Sequence, residues 1–202
     1  MELDEAMATV VRLAGGPVRE PNPKALDELY ESLPTVQCLG ECWSSCGGEL
    51  PVSPLERDRL RASGIKWRSG GLVPLPEGKQ AAVACSALDL TRLVCRVYAD
   101  RPMICRIWGI FESLACPWGC RPKGGLLDDV EAMRLMNLAL WHGGSPLAID
   151  PRQWEVIVAN PEYVAALKAH LANGRPTRDS GQIIQGTIVV RRQPHRQDHR
   201  QG

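Results

Sequence analysis

Apolar residues recur at helical spacing towards both ends of this chain and lose that rhythm in its middle. Near the start, the apolar positions of Leu3 to Ala14 suit a short amphipathic helix that Gly15-Gly16-Pro17 would close. Asn22-Pro23 then offers an N-cap followed by proline at the first helical position, where its missing N–H costs nothing. Leu26, Leu29, Tyr30 and Leu33 share one face of that helix before Pro34 stops it. Ser53-Pro54-Leu55-Glu56 is a capping box that predicts a helix to about Ala62, with Gly64 at its end. The charges of that helix, Glu56, Arg57, Asp58, Arg59 and Arg61, are expected to form a solvated face.

Beyond residue 126 the pattern is helical again. Asp128 is expected to cap a helix to about His142, with Val130, Met133, Met136, Ala139 and Leu140 inward and Gly143-Gly144 at its end. Asp150-Pro151 and Asn160-Pro161 repeat the cap-plus-proline device and predict helices to Val158 and Ala172. Ile183 to Val190 reads as an edge strand, and Arg191 to Gly202 as a disordered, solvated end rather than a nucleic-acid arm.

In between, Ile65 to Gly78 turns to Gly, Pro and Trp and suggests a loop or irregular hairpin. Ala81 to Cys85 and Val94 to Tyr98 suit short strands. Asp100-Arg101-Pro102 is a start signal for a helix carrying Cys105, Trp108 and Phe111 and ending near Cys116-Pro117. The fold class expected is therefore mainly α with a few short strands, one small domain organised around a cysteine-ligated metal centre. Its parts are N-terminal helices (1–35), a cysteine-cluster core (36–125), a helical scaffold (126–175) and a polar tail (176–202).

The middle of the chain holds all eight cysteines. Cys38, Cys42 and Cys46 come first, each separated by three residues, and Cys85, Cys95, Cys105, Cys116 and Cys120 follow. Cysteines used as small core residues would scatter with the other apolar positions, whereas ligands of a shared centre are confined as these are. On a helix the first three thiols would lie on one side, a chelating arrangement that Gly47-Gly48 would end. Thiolates are soft ligands suited to zinc or an iron–sulfur cluster. Four complete the coordination of either, so eight allow two sites, or one with cysteines to spare.

The common C-x2-C zinc knuckle is absent from the sequence, which favours an iron–sulfur cluster, of the four-iron kind, over zinc. Trp43, Trp108 and Trp118 are placed to shield such a centre. Arg96, Arg106 and Arg121, each beside a cysteine, are placed to offset thiolate charge. His142, His170, His195 and His199 lie outside the cysteine region and read as surface or packing residues.

Composition narrows the setting. With 202 residues, 44% hydrophobic and 23% charged, the chain can bury the core of one domain. It has no apolar run of the roughly 18 residues that span a bilayer, and its acidic start does not resemble a signal peptide. A cytoplasmic protein without membrane contact is expected, where clustered cysteines serve as metal ligands or catalytic groups rather than disulfides. A net charge of +1 does not nominate nucleic acid as a partner.

Cys95-Arg-Val-Tyr98-Ala-Asp-Arg101-Pro102-Met-Ile-Cys105-Arg106 resembles the signature of the YkgJ-like cysteine-cluster family, described as zinc- or iron-chelating. In that family C-x-I-Y-x2-R-P-x2-C-R follows a C-x2-C-x2-C-C cluster. The order of parts is similar here over about residues 36 to 120, with Cys38, Cys42 and Cys46 in the place of the first cluster and Cys85 ahead of the signature. The first cluster departs in its wider spacing and in Gly47, which stands where a fourth cysteine would be. The resemblance implies a bound metal. Through the similar clusters of flagellin lysine methylases, it also makes redox or methyl-transfer chemistry conceivable.

The sequence has no glycine-rich nucleotide loop, no H-E-x2-H, no G-x-S-x-G and no C-x3-C-x2-C, so no reaction is assigned. Two classes stand: a metal-binding protein whose centre is structural or redox-active, and a non-enzymatic, zinc-stabilised module that binds protein or nucleic acid.

Overall fold

A capping side chain followed by proline opens four of the helices, and at each the chain does what that pair of residues dictates. In the computed structural model, which describes residues 19–47, 50–67, 72–74, 80–172, 182–184 and 187–189, the Asn22 side chain accepts from the Ala25 N–H at the head of α1 (Pro23–Glu31). Ser53 and Glu56 form the reciprocal capping box of α2 (Pro54–Ala62). After the short α3 (Met103–Ile107), Asp128 caps α4 (Asp129–His142). Asp150 and Asn160 open α5 (Pro151–Val158) and α6 (Pro161–Ala172). The fold is mainly helical, as expected. The helix expected over residues 3–14 and the end beyond residue 190 lie outside the described residues.

Among the described residues, six short strands accompany the helices. β1 (Leu72–Pro74), β2 (Gln80–Val83), β5 (Gln182–Ile184) and β6 (Thr187–Val189) form an antiparallel sheet in the order β1-β2-β6-β5, with Ala81 opposite Val189. The run read as one edge strand is thus two strands, and its second half lies inside the sheet; Gly186 interrupts the apolar run between them. The segment 65–78 contributes β1 to the hairpin with β2. β3 (Leu88–Asp89) and β4 (Val94–Cys95) make a separate hairpin whose first strand the sequence pattern does not announce.

The main core lies between α1, α3 and α4, where Leu26, Met103, Ile107, Phe111, Leu135 and Ala139 are buried together. On α4 the most buried apolar positions are Ala132, Leu135 and Ala139, while Val130, Met133, Met136 and Leu140 are half-buried. Of the expected face, Ala139 is buried, Met136 packs against this core and Met133 against a second cluster of Ile149, Trp154 and Ile157. Asp129 and Asn137 are buried as well and tie loops to the helix. Asp129 accepts from the Ser113 N–H and hydroxyl at 2.8 and 2.6 Å, and Asn137 exchanges two 2.8 Å bonds with the backbone of Ile149.

Glu56 departs furthest from expectation. Placed by its neighbours on a solvated face, it is 3% exposed. One carboxyl oxygen accepts from the Tyr30 hydroxyl and the Met103 N–H, both at 2.7 Å, and the other from the Ser53 N–H and hydroxyl, both at 2.8 Å. Burial, and then the charge of Glu56, hold the Tyr30 phenol well above its usual range, so Tyr30 stays a donor. Arg59 and Arg61 do stay at the surface, paired with Asp27 and Asp58.

An amide at residue 56 cannot replace the carboxylate. Whichever way it turns, its NH2 faces a backbone N–H, either that of Met103 or that of Ser53, and neither can reorient. Glu56→Gln should therefore lower unfolding free energy by about 1–3 kcal/mol, measured by urea denaturation. Unchanged stability would show that these bonds do not hold the helices.

Candidate metal centre

The three clustered thiols do not share a helix face. Cys38 precedes a left-handed Gly40 (φ 78), only Glu41–Ser45 turns helically, and it does so as a 3₁₀ helix with Cys46 as its C-cap. The helical dihedrals break at Cys42 inside that turn, and the Cys46 thiol lies 4.0 Å from the Cys42 carbonyl. Cys38 and Cys42 line one cleft of about 50 Å3; Cys46 lines an adjoining one of about 330 Å3, on whose border Cys42 also lies.

Cys116 and Cys120 join Cys38 and Cys42 in the smaller cleft. A bridge between Val36 and Pro122, with Lys123 N–H donating to Thr35 C=O, brings the two stretches side by side. Gly109, at φ 87, lets the chain turn back so that Ala115 pairs beside it and Cys116 N–H donates to its carbonyl. A Cβ at Gly109 would stand 3.1 Å from that of Cys116. Here the helix expected to continue to Cys116 ends instead, with Trp108 already outside it.

Besides Cys42, the larger cleft collects Cys46, Cys85, Cys95 and Cys105. β2 runs on to Ala84, which bridges to Gly47, and Cys85 N–H donates to Cys46 C=O at 2.8 Å. Cys95 lies on β4 opposite Leu88. In α3, Met103 and Ile107 are one turn apart and both bury in the core, which turns Cys105 to the other side and into the cleft. The start of α3 is held by Glu56 rather than by Asp100, whose carboxylate instead accepts from the Ser63 hydroxyl. Leu60, Ile65 and Ala87 form the buried apolar backing, against which Cys85 and Cys95 pack.

All eight cysteines are free thiols. Burial raises the pKa of Cys42, Cys46 and Cys85 and pushes that of Cys105 up to about 12. Neighbouring thiols add to the shift: Cys38 on Cys42, and Cys85 and Cys95 on Cys105. Backbone N–H groups turn to sulfur as well, Gly40 to Cys38 and Ala87 to Cys85 at 3.4 Å, and Leu39 to Cys120. The thiols of Cys116 and Cys120 are hydrogen-bonding neighbours, as are the Tyr98 hydroxyl and Cys38. Among the described residues, no three Cys, His, Asp or Glu side chains are grouped so that they could hold a metal ion. The thiols are neighbours pointing to backbone and to one another. Four thiols line the smaller cleft and five the larger, Cys42 lining both, and thiols are the donor type that suits a thiophilic metal.

The expected shields are at hand, since Trp108 and Trp118 line the smaller cleft and Trp43, Trp67 and Trp108 the larger. The expected arginines mostly serve the backbone. Arg106 donates to the carbonyls of Arg101 and Ala99, and Arg121 to those of Cys116 and Cys120; Arg96, which donates to Ser86 C=O, also lowers the Cys85 pKa slightly. The cation that borders both clefts is Arg101, stacked 3.5 Å over the Tyr98 ring, donating to Tyr98 C=O at 3.0 Å and favouring the charged forms of Cys42 and Cys105. Its place in the R-P segment was the signal for it. His142 is half-buried with a pKa lowered by burial, and it lines neither cleft.

No protein-family model, curated protein or solved structure matches this chain. No helix among the described residues is long and apolar enough to cross a membrane.

Reactivity should follow this burial. In metal-free protein at neutral pH, exposed Cys38 should be alkylated first and Cys46 and Cys105 last, read by mass spectrometry of labelled peptides. Equal rates at all eight would contradict the arrangement.

Proposed function

We propose that this chain is a thiolate-ligated metal-binding protein whose centre is an iron–sulfur cluster in preference to zinc, working in the reducing cytoplasm. The observation that carries the reading is the convergence of all eight cysteines, from stretches as far apart as residues 38 and 120, on two adjoining clefts. Burial makes ionised thiols costly there, and a metal that replaces their protons offsets that cost. The ligands would be drawn from Cys38, Cys42, Cys46, Cys85, Cys95, Cys105, Cys116 and Cys120. When bound, such a group supplies one-electron chemistry or a rigid cross-link.

The chain's own residues then have defined tasks. Tryptophans exclude water, Arg101 offsets negative charge, and the N–H groups of Gly40, Leu39 and Ala87 hold sulfur orientation. The likeness of Cys95 to Arg106 to the YkgJ-like signature supports the same reading, and the absence of a recognisable reaction motif leaves redox or methyl-transfer chemistry unassigned. The second reading, a zinc-stabilised interaction module, draws on the close Cys116–Cys120 pair in a cleft of only about 50 Å3.

Protein expressed with iron and purified without oxygen should be brown and contain iron with acid-labile sulfide. Colourless, folded protein with stoichiometric zinc and no sulfide would move the function to the second reading. Prolonged chelation should reduce the circular dichroism signal, because Cys85 and Cys95 of the larger cleft pack on the small Leu60, Ile65 and Ala87 cluster rather than on the main core. Identical melting curves with and without metal would remove the structural role.

Cys95→Ser and Cys105→Ser should each reduce bound metal sharply, and Tyr98→Phe much less, because Tyr98 contributes only a hydroxyl beside Cys38. Full metal content in both serine variants would take these cysteines off the ligand set.

A further inference from the structure

We infer that the chain holds two separate four-thiol centres, one formed by Cys38, Cys42, Cys116 and Cys120 and the other by Cys46, Cys85, Cys95 and Cys105. This rests on the metal-binding reading and adds the number of centres and the ligands of each. The partition does not follow sequence order. It divides the compact trio at Cys42, which lines both clefts and is placed with Cys38 because these two line the smaller cleft with Cys116 and Cys120, as Cys46 does not, and it joins each part to a distant stretch.

Two independent sets of backbone contacts build the groups. The Val36 to Pro122 and Gly109 to Ala115 bridges serve the first; the Gly47 to Ala84 bridge and the β3–β4 pairing serve the second. The Cys42 thiol feels Cys38 and Cys116, and Cys120 feels Cys116 and Cys38. Cys105 feels Cys85 and Cys95, and Cys46 feels Cys42 most and then all three of its set. The sets meet only where Cys42 adjoins Cys46, with the Cys46 thiol 4.0 Å from the Cys42 carbonyl. Trp108 and Arg101 line both clefts and form their common wall.

The division also accounts for the number eight. Four thiolates complete one zinc ion or one four-iron cluster, so a single centre would leave four clustered thiols without a ligand role. Two centres use every cysteine.

The test compares Cys116→Ser/Cys120→Ser, Cys95→Ser/Cys105→Ser and the variant combining all four, using full-length protein loaded anaerobically with iron and sulfide or with zinc alone. Metal per chain is measured by elemental analysis. Each double variant should keep about half of the wild-type metal, and the combined variant should keep almost none. If either pair removes all the metal while circular dichroism stays native, or leaves it at the wild-type level, the two-centre assignment is overturned.

For variants that do not fold, wild-type protein gives the same decision. Stepwise chelation followed by alkylation should free four cysteines of one set before any of the other, and release that mixes the two sets would overturn the assignment. Wild-type protein that takes up neither iron nor zinc would instead sink the metal-binding reading itself.

Discussion

The side chain of Glu56 enters the interior carrying a carboxylate, and the arrangement of the cysteine region depends on how it is satisfied. Four donors from three parts of the chain close on its two oxygens: Tyr30 on α1, Ser53 at the head of α2, and Met103 at the head of α3. A buried charge is tolerated only with such full partnering. The four bonds therefore fix the mutual placement of all three helices. α3 is too short to hold itself, since five residues make little more than one turn. It exists because Glu56 receives its first N–H and because Met103 and Ile107 are buried beneath it. Cys105 and the Arg101–Pro102 corner take their positions from that anchorage.

The same logic recurs around the sites. Asp129 holds the loop at Ser113 shortly before Cys116, and Asn137 holds the loop at Ile149. Buried polar side chains on regular helices pin irregular backbone, and the irregular backbone carries most of the thiols. Only Cys42, Cys95 and Cys105 lie within the short helical turns and strands; the others sit in loops and bridges. Such backbone has little periodic apolar packing of its own, which gives a metal centre physical work to do as a cross-link between stretches distant in sequence.

Local chemistry was legible from the residues. The caps at Asn22, Ser53, Asp128, Asp150 and Asn160 begin helices where they stand, because a side-chain acceptor and proline act within one turn and need no tertiary context. The confinement of the cysteines pointed to the clefts for the same reason: composition survives folding. What was not legible depends on distant partners. Glu56 has the sequence neighbours of a surface residue, and nothing local reveals that Tyr30 and Met103 will meet it. The thiols of Cys38, Cys42 and Cys46 fit one helix face by spacing, but the left-handed Gly40 and the dihedral break at Cys42 interrupt the helix, and Cys38 lines the smaller cleft, Cys46 the larger and Cys42 both. The helix from Met103 stops at Ile107 because Gly109 turns the chain back upon itself, whereas the sequence also allowed continuation to Cys116.

The central claim is that these thiols are metal ligands. X-ray absorption at the iron or zinc edge of protein purified without oxygen tests it most directly, since it reads the atoms bound to the metal. The account predicts a first shell made of sulfur alone, with neighbouring iron atoms at short range if the centre is a cluster. A shell of nitrogen and oxygen, or protein that carries no metal at all, would contradict it.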